Sequence, residues 1–532
     1  MIARKSALII FTQFFTRFLG WIGLVIMAKI WGGFAPYAFG VIGFAISFLG
    51  IFNILADLGF YQAHVKRLSE NKDLGKCIGT YIFIKILLTG LMVAVVLLSI
   101  FVWKNILHRG FTDATTESVI IIFLIYYAFV NLYKIPISTF EGKREIAKRQ
   151  MVSTVENLVK VPSEIVVAMA GVSIAGYYIS PALHWPSIFR NLQIFISKHV
   201  LGSYAMAYVF GAFVSLIVGL YFLNKYPIKK PDLEMAKSYF SFALPIMLIS
   251  VISVISVNID KVMIGYFWTS REVGYYFSIQ QILQVISIIA GSVGMVLFPT
   301  ISGYHANRDF VRIKRDTIKA ERYISMVVIP IAGLMIAFSK PLINIMLNSS
   351  FLPASPVLVI LVIYISINSL NTPFSSLVQG VNRPDIGAKI GVGMCVVNII
   401  LNYLFIPKEG LLSPIGINGP TGAAVATFIS ALVGFFGLRI ASKRLTGIRL
   451  LHFHTLRHII AGIIMLGIMY KISEILSVIR WYHLAVFSII GLSIYIGLLA
   501  IMKEFRKNDL QFFLEILNPK GMFRYAKDEI RK

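Results

Sequence analysis

Long apolar runs separated by short polar stretches recur along the whole chain. Fourteen can be counted, at about 7–31, 38–64, 77–103, 117–137, 151–174, 200–223, 238–267, 273–303, 323–347, 356–380, 386–406, 420–442, 458–477 and 482–502. At 1.5 Å per residue, about 20 residues cross the hydrocarbon core of a bilayer, so each run predicts a membrane-spanning helix. The period-two alternation of an outer-membrane barrel is absent. The pattern predicts an all-α polytopic membrane protein with about 14 transmembrane helices.

The polar stretches test that count. With the connecting loops placed alternately on two sides, one side holds 35 Lys and Arg and the other nine. The remaining six, Arg17, Lys29, Lys85, Lys134, Lys160 and Lys261, lie inside apolar runs. This asymmetry is the positive-inside signature and predicts that both termini are cytoplasmic. The net charge of +26 is then a matter of topology, with attraction to anionic lipid, and nucleic-acid binding is not expected. A 57% hydrophobic content and a mean hydropathy of +0.79 agree that lipid is the main solvent, in a multi-pass protein of the cell (plasma) membrane. The basic, apolar N-terminus contains Arg17 and no small-residue cleavage site, so it reads as a retained first helix. Cys77 and Cys395 are too far apart to suggest a disulfide framework or a metal-binding spacing.

The chain also repeats itself. Pro36-Tyr37-Ala38-Phe39-Gly40 opens the second run, and Arg271-Glu272-Val273-Gly274-Tyr275 opens the eighth. Asn71-Lys72-Asp73 and Asn307-Arg308-Asp309 close the polar loops that follow. Pro136 and Gly142 match Pro373 and Gly380; Leu201-Gly202-Ser203 matches Thr421-Gly422-Ala423. Two six-helix bundles in parallel repeat are predicted, at 1–224 and 225–445, with two extra helices at 446–505 and a basic cytoplasmic tail at 506–532. The first bundle carries an insertion near 177–195, with prolines, Trp185 and an amphipathic end suited to the outer interface.

Four stretches carry a family likeness. They are Ala56-Asp57-Leu58-Gly59-Phe60; Phe140-Glu141-Gly142-Lys143-Arg144-Glu145; Ala243-Leu244-Pro245 through Asp260-Lys261 to Val273-Gly274-Tyr275-Tyr276; and Gly419-Pro420-Thr421-Gly422-Ala423-Ala424. Together they resemble the polysaccharide-exporter branch of the MOP flippase superfamily, the Wzx-like O-antigen and capsule repeat-unit flippases. The resemblance implies translocation of a polyprenyl-phosphate- or diphosphate-linked oligosaccharide to the outer leaflet by alternating access. It implies coupling to an ion gradient, with H+ or Na+ as the ion, and a glycan polymerase or transferase as partner.

Charges inside a bilayer are costly and mark the candidate site. Arg17, near the middle of the first run, is either a cation for a phosphate or acidic sugar, or the partner of Asp57 or a glutamate. Asp57 and Lys85 either pair or serve the cytoplasmic vestibule. Glu156, Lys160 and Glu164 share one helix face at i, i+4, i+8, as a self-neutralising ladder or as an ion-coupling site centred on Glu164. Asp260 and Lys261 point about 100° apart, one toward the cavity and one toward a neighbouring helix. Substrate binding is therefore assigned to Arg17, Asp57, Lys85, Lys160, Asp260 and Lys261, and ion coupling to Glu156 and Glu164. Runs 8 to 14 carry almost no internal charge, which suggests an apolar wall.

His452, His454 and His458 are read as exposed loop residues without a carboxylate or thiol to complete a metal site, so no metal is expected. No cofactor-binding or catalytic motif is found, and the chain is not expected to be an enzyme. The alternatives are a cation-coupled small-molecule exporter of the MATE type, which would rely on carboxylates, and a lipid II flippase. A membrane glycosyltransferase would need acidic residues in a large outer loop, and the longest outer loop, about 25 residues, has neither Asp nor Glu.

Overall fold

The computed structural model describes residues 2–70, 72–106, 114–174, 176–450, 452–475, 480–505 and 509. Each apolar run is carried by a long helix. In chain order the helices are α1 (Ile2–Trp31), α2 (Ala35–Phe52), α3 (Phe60–Ser69), α4 (Leu74–Phe101), α5 (Ala114–Gly142) and α6 (Ile146–Met169). After a hairpin of β1 (Val172–Ile174) and β2 (Tyr177–Ile179) come α7 (Arg190–Lys198), α8 (Val200–Leu223), α9 (Leu233–Phe267) and α10 (Ser270–Ala306). They are followed by α11 (Phe310–Ala337), α12 (Ser339–Met346), α13 (Ser355–Gly380), α14 (Pro384–Phe405), α15 (Gly419–Thr446), α16 (Phe453–Ile475) and α17 (Trp481–Ile501). Among the described residues, 12 spans are long and apolar enough to cross a membrane. One of them, Phe11–Phe52, joins α1 and α2 across a short 3-10 turn, and the charged α6 is not among the 12. Counting α1, α2 and α6 separately restores the fourteen helices of the sequence pattern.

Two predicted runs end differently. The run at 38–64 is not one helix: it breaks at Asn53–Gly59, where Leu58 and Gly59 take φ of 46° and 85°, and resumes as α3. The run at 151–174 stops at Met169, and its last residues form β1. The predicted insertion is the hairpin followed by a 3-10 turn and α7. Tyr177 of the hairpin stacks on Tyr37 and accepts a 2.7 Å hydrogen bond from Arg271. Ile188 and Phe195 stay exposed.

The two aspartates matched in sequence cap helices alike. Asp73 accepts from Lys76 N at 2.9 Å at the start of α4, and Asp309 accepts from Arg312 N at 3.0 Å at the start of α11. Asn71 of the first motif lies outside the described residues, as does most of the 506–532 tail. Gly142 packs on Leu68 and Gly380 on Ile301, each two residues before a left-handed residue, Arg144 (φ 60°) or Asn382 (φ 60°).

The chain divides into two compact units. One comprises Ala7–Ser278 with Ile406–Glu409; the other comprises Met1–Ser6, Ile279–Phe405 and Gly410–Lys532. In the first, α5 packs on α8, α6, α3 and α2, and α9 lies against α2 and α3. Its cores include Phe60, Tyr81, Leu88 and Tyr239, and Val130, Phe140, Val152 and Ala212. Within this unit Gly40 and Gly274, the matching glycines of the repeat, touch each other. A Cβ on Gly40 would run into Ser270 O, and one on Gly274 into Pro36 O. In the second unit α15 packs on α13 and α14, and α16 on α11 and α17. Ile301, Phe374 and Leu377 fill one core, and Met465, Tyr495 and Leu499 the other.

Candidate functional site

The break between α2 and α3 builds the first polar group. Lys85 on α4 is fully buried and donates from Nζ to Ala56 O at 2.6 Å, with Asp57 Oδ1 at 3.7 Å. Asp57 also accepts from Tyr61 N at 3.0 Å, so it caps the first turn of α3. Asn131 on α5 donates to Asn53 Oδ1 at 2.6 Å in the same turn. Asp57 and Lys85 do pair. Asp57 sits in a turn rather than inside a spanning helix, which leaves free carbonyls that a buried lysine can satisfy.

The second group lies on α6. Glu156, Lys160 and Glu164 share one face, and that face meets α5 and α8. Glu156 accepts from Tyr126 OH at 2.8 Å and from Tyr133 OH at 2.5 Å, while Lys160 Nζ sits 4.7 Å from the centroid of the Tyr208 ring. Tyrosine hydroxyls and a ring face, not a ladder of ion pairs, solvate these charges. Glu164 is 3% exposed, with Oε2 beside Gly23 of α1.

The third group is on α9. Asp260 and Lys261 are both buried; Asp260 Oδ2 accepts from Tyr276 OH at 2.7 Å and Lys261 Nζ donates to Val257 O at 2.8 Å. Arg17 is exposed on α1 among Phe14, Phe15 and Phe18, whereas the other predicted residues are buried or half-buried. The structure thus gathers seven of the eight predicted residues into three clusters in one unit, and Arg17, expected as a cation inside the cavity, stands on an exposed face outside them.

Sequence reasoning missed the tyrosines. Their signal was spacing: Tyr126 and Tyr133 are seven apart on α5, and Tyr204 and Tyr208 four apart on α8, each pair on one helix face. It also missed a buried ion pair in the second unit. Glu321 on α11 and Arg439 on α15, counted with the loop charges at the edges of their apolar runs, are 0% and 1% exposed and pair at 2.6 Å. The expectation that helices 8 to 14 carry almost no internal charge is therefore corrected: both helices run past their apolar stretch and carry these residues into the packed interior. The histidines are likewise not exposed. His452 Nδ1 lies 2.9 Å from Glu321 Oε2, and His458 is fully buried against Ser325.

Comparison with known proteins places this architecture. The family model described as polysaccharide biosynthesis protein matches residues 2–305, more than half of the chain, and the MatE model matches 245–404. A protein of Haloferax volcanii named a probable low-salt glycan biosynthesis flippase, Agl15, is 23% identical over 438 residues, covering 81% of each chain. Among solved structures, the lipid II flippase MurJ in an inward closed conformation is 16% identical. It aligns with a TM-score of 0.71 over 92% of this chain and 98% of that one. A multidrug resistance MATE family transporter of the MOP superfamily, inward-facing, is 14% identical, with a TM-score of 0.61 over 80% of this chain and 96% of its own. These two likenesses establish a shared fold of packed spanning helices. With more than half its length matched by the family model, the chain is a multi-pass membrane protein that belongs to the polysaccharide biosynthesis protein family.

Proposed function

We propose that the chain is a flippase that moves a polyprenyl-phosphate- or diphosphate-linked oligosaccharide from the inner to the outer leaflet of the plasma membrane. The movement is by alternating access and serves surface glycan assembly. One observation carries the reading: buried or half-buried charges are individually solvated among helices whose outer faces are apolar. They are Lys85 beside Asp57, Lys160 between Glu156 and Glu164, and Asp260 with Lys261. Such groups are costly in a bilayer and are retained where they meet a polar substrate or ion. The family, and the name of the relative from Haloferax volcanii, support a lipid-linked glycan as that substrate.

In this reading Arg17, Asp57, Lys85, Lys160, Asp260 and Lys261 meet the phosphate and sugar. Glu156 and Glu164 carry a coupling H+ or Na+. Both termini face the cytoplasm, the exposed apolar residues of the 177–195 insertion lie in the outer interface, and a glycan polymerase or transferase takes over the delivered lipid. The chain performs transport, not catalysis.

The test uses the purified chain in vesicles loaded with a fluorescent polyprenyl-diphosphate oligosaccharide. Chain-dependent loss of probe from one leaflet, accelerated by a proton or sodium gradient and no longer accelerated after Glu164→Gln, is the expected result. No lipid movement, together with gradient-driven export of organic cations, would replace this reading with a small-molecule exporter.

A further inference from the structure

Three turns into α11, a carboxylate and two imidazoles converge. Glu321 Oε2 lies 2.9 Å from His452 Nδ1 and 3.8 Å from His454 Nε2, and the three groups offer donor atoms within 4.8 Å of one another. The two imidazole rings stack at 5.3 Å with 9° between their planes. The side chains are 0%, 10% and 12% exposed, so the donors are already stripped of most water.

Hydrogen bonding alone does not complete this arrangement. A separation of 3.8 Å is too long for a hydrogen bond. Among the described residues, the buried His454 Nε2 has no hydrogen-bond partner, and neither has His452 Nε2. A tetrahedral ion with bonds of about 2.0–2.1 Å sets neighbouring donors about 3.3 Å apart. The two measured separations bracket that spacing. Two imidazoles and one carboxylate form a borderline donor set that suits zinc-class ions rather than magnesium or calcium.

We propose that Glu321, His452 and His454 form a binding site for a divalent zinc-class ion, with a water molecule in the fourth position. The carboxylate is already oriented for the task. Arg439 donates to its other oxygen at 2.6 Å, as an outer-shell partner does. The guanidinium lies 3.6 Å and 4.2 Å from the Phe435 and Phe374 ring centroids, so aromatic faces meet part of its charge.

The site's position gives it a structural role. His452 lies in the linker between α15 and α16, His454 in the first turn of α16, and Glu321 on α11. Beside it, Arg322 binds Glu504 at 2.7 Å and Asp509 at 2.7 Å, and Arg457 binds Glu504 at 2.9 Å. The ion would tie the entry of the terminal helix pair to α11, next to a clamp that ties its exit.

The test takes the untagged full chain in detergent, stripped of metal by a chelator, and titrates it with zinc. Equilibrium dialysis and calorimetry should report one ion per chain at micromolar zinc. His452→Gln/His454→Gln should bind at least tenfold more weakly, and zinc should raise the thermal midpoint of the native chain only. No stoichiometric binding, or equal binding by the double variant, would overturn the proposal. If the double variant does not fold, the cobalt-loaded native chain decides. Strong tetrahedral d–d absorption supports the site, and a weak octahedral spectrum refutes it.

Discussion

Arg439→Leu tests the buried ion pair of the second unit most directly. Arg439 donates to Glu321 at 2.6 Å and to Asn371 Oδ1 at 3.2 Å, and both members of the pair are at most 1% exposed. Leucine keeps an apolar body against Phe374 and Phe435 but removes the cation. The Glu321 carboxylate then stays buried with only an imidazole donor, and breaking such a pair costs about 3–5 kcal/mol. Glu321→Met strands the guanidinium and should cost somewhat less, because two ring faces still hold it. The double variant replaces an ion pair with two apolar side chains of similar bulk, and such exchanges are close to neutral or stabilising. The prediction is therefore strong non-additivity: two single variants each down by about 3 kcal/mol or more, and a double variant within about 1 kcal/mol of the native chain. Denaturant unfolding in micelles, with chelator present, measures all four corners. A double variant whose loss equals the sum of the singles would show that the two charges do not stabilise each other.

Three further outcomes follow from the geometry. Gly40→Ala and Gly274→Ala push a methyl group into backbone carbonyls that cannot swing aside. Each should lose about 1–3 kcal/mol or more, whereas Gly387→Ala, with nothing within 4 Å, should be neutral or slightly stabilising in a thermal melt. Lys85→Met removes the donor to Ala56 O and the cation beside Asp57; lipid movement in vesicles should fall at least tenfold at unchanged protein recovery, and unimpaired movement would remove Lys85 from the substrate path. At the start of α4, Lys229 holds the Asp73 carboxyl, and Lys76 holds that of Asp232, below the usual carboxylate range. Their contribution is complete above the unfolded value of about 3.9 and is lost as pH falls through the lower folded values. The gap in melting temperature between the native chain and Asp73→Asn/Asp232→Asn should thus close below about pH 4, and shrink in high salt.

Hydropathy made the fourteen helices legible because lipid demands long apolar runs, and the loop charges fixed their count. It did not reveal where helices outrun lipid. Glu321 and Arg439 sit in the polar ends of α11 and α15, and their pairing across 118 positions leaves no trace in local periodicity. The break at Asn53–Gly59 was hidden for a different reason: its Ile54, Leu55 and Ala56 are as apolar as a helix interior, and only Asp57 and Gly59 marked the turn. The site was legible as charges but not as their solvation. Tyr126, Tyr133 and Tyr208 come from two other helices, and a tyrosine in an apolar run looks like packing until its hydroxyl has a partner.

The corrected charge distribution changes what separates the two units. Both bury ions, so an apolar second unit can no longer be inferred from charge count. The difference lies in the partners. In the first unit, Lys85 meets a backbone carbonyl and a half-exposed carboxylate, and Glu156 meets neutral hydroxyls. Neither charge is fully neutralised by a buried opposite charge, which is what the proposed contact with a substrate or ion requires. In the second unit, Glu321 and Arg439 neutralise each other in direct contact and are held by an asparagine, a histidine and two aromatic rings. That pair has little charge left for a passing phosphate. Variants in the first group should therefore change transport at near-native stability, whereas single variants of the second pair should change stability first.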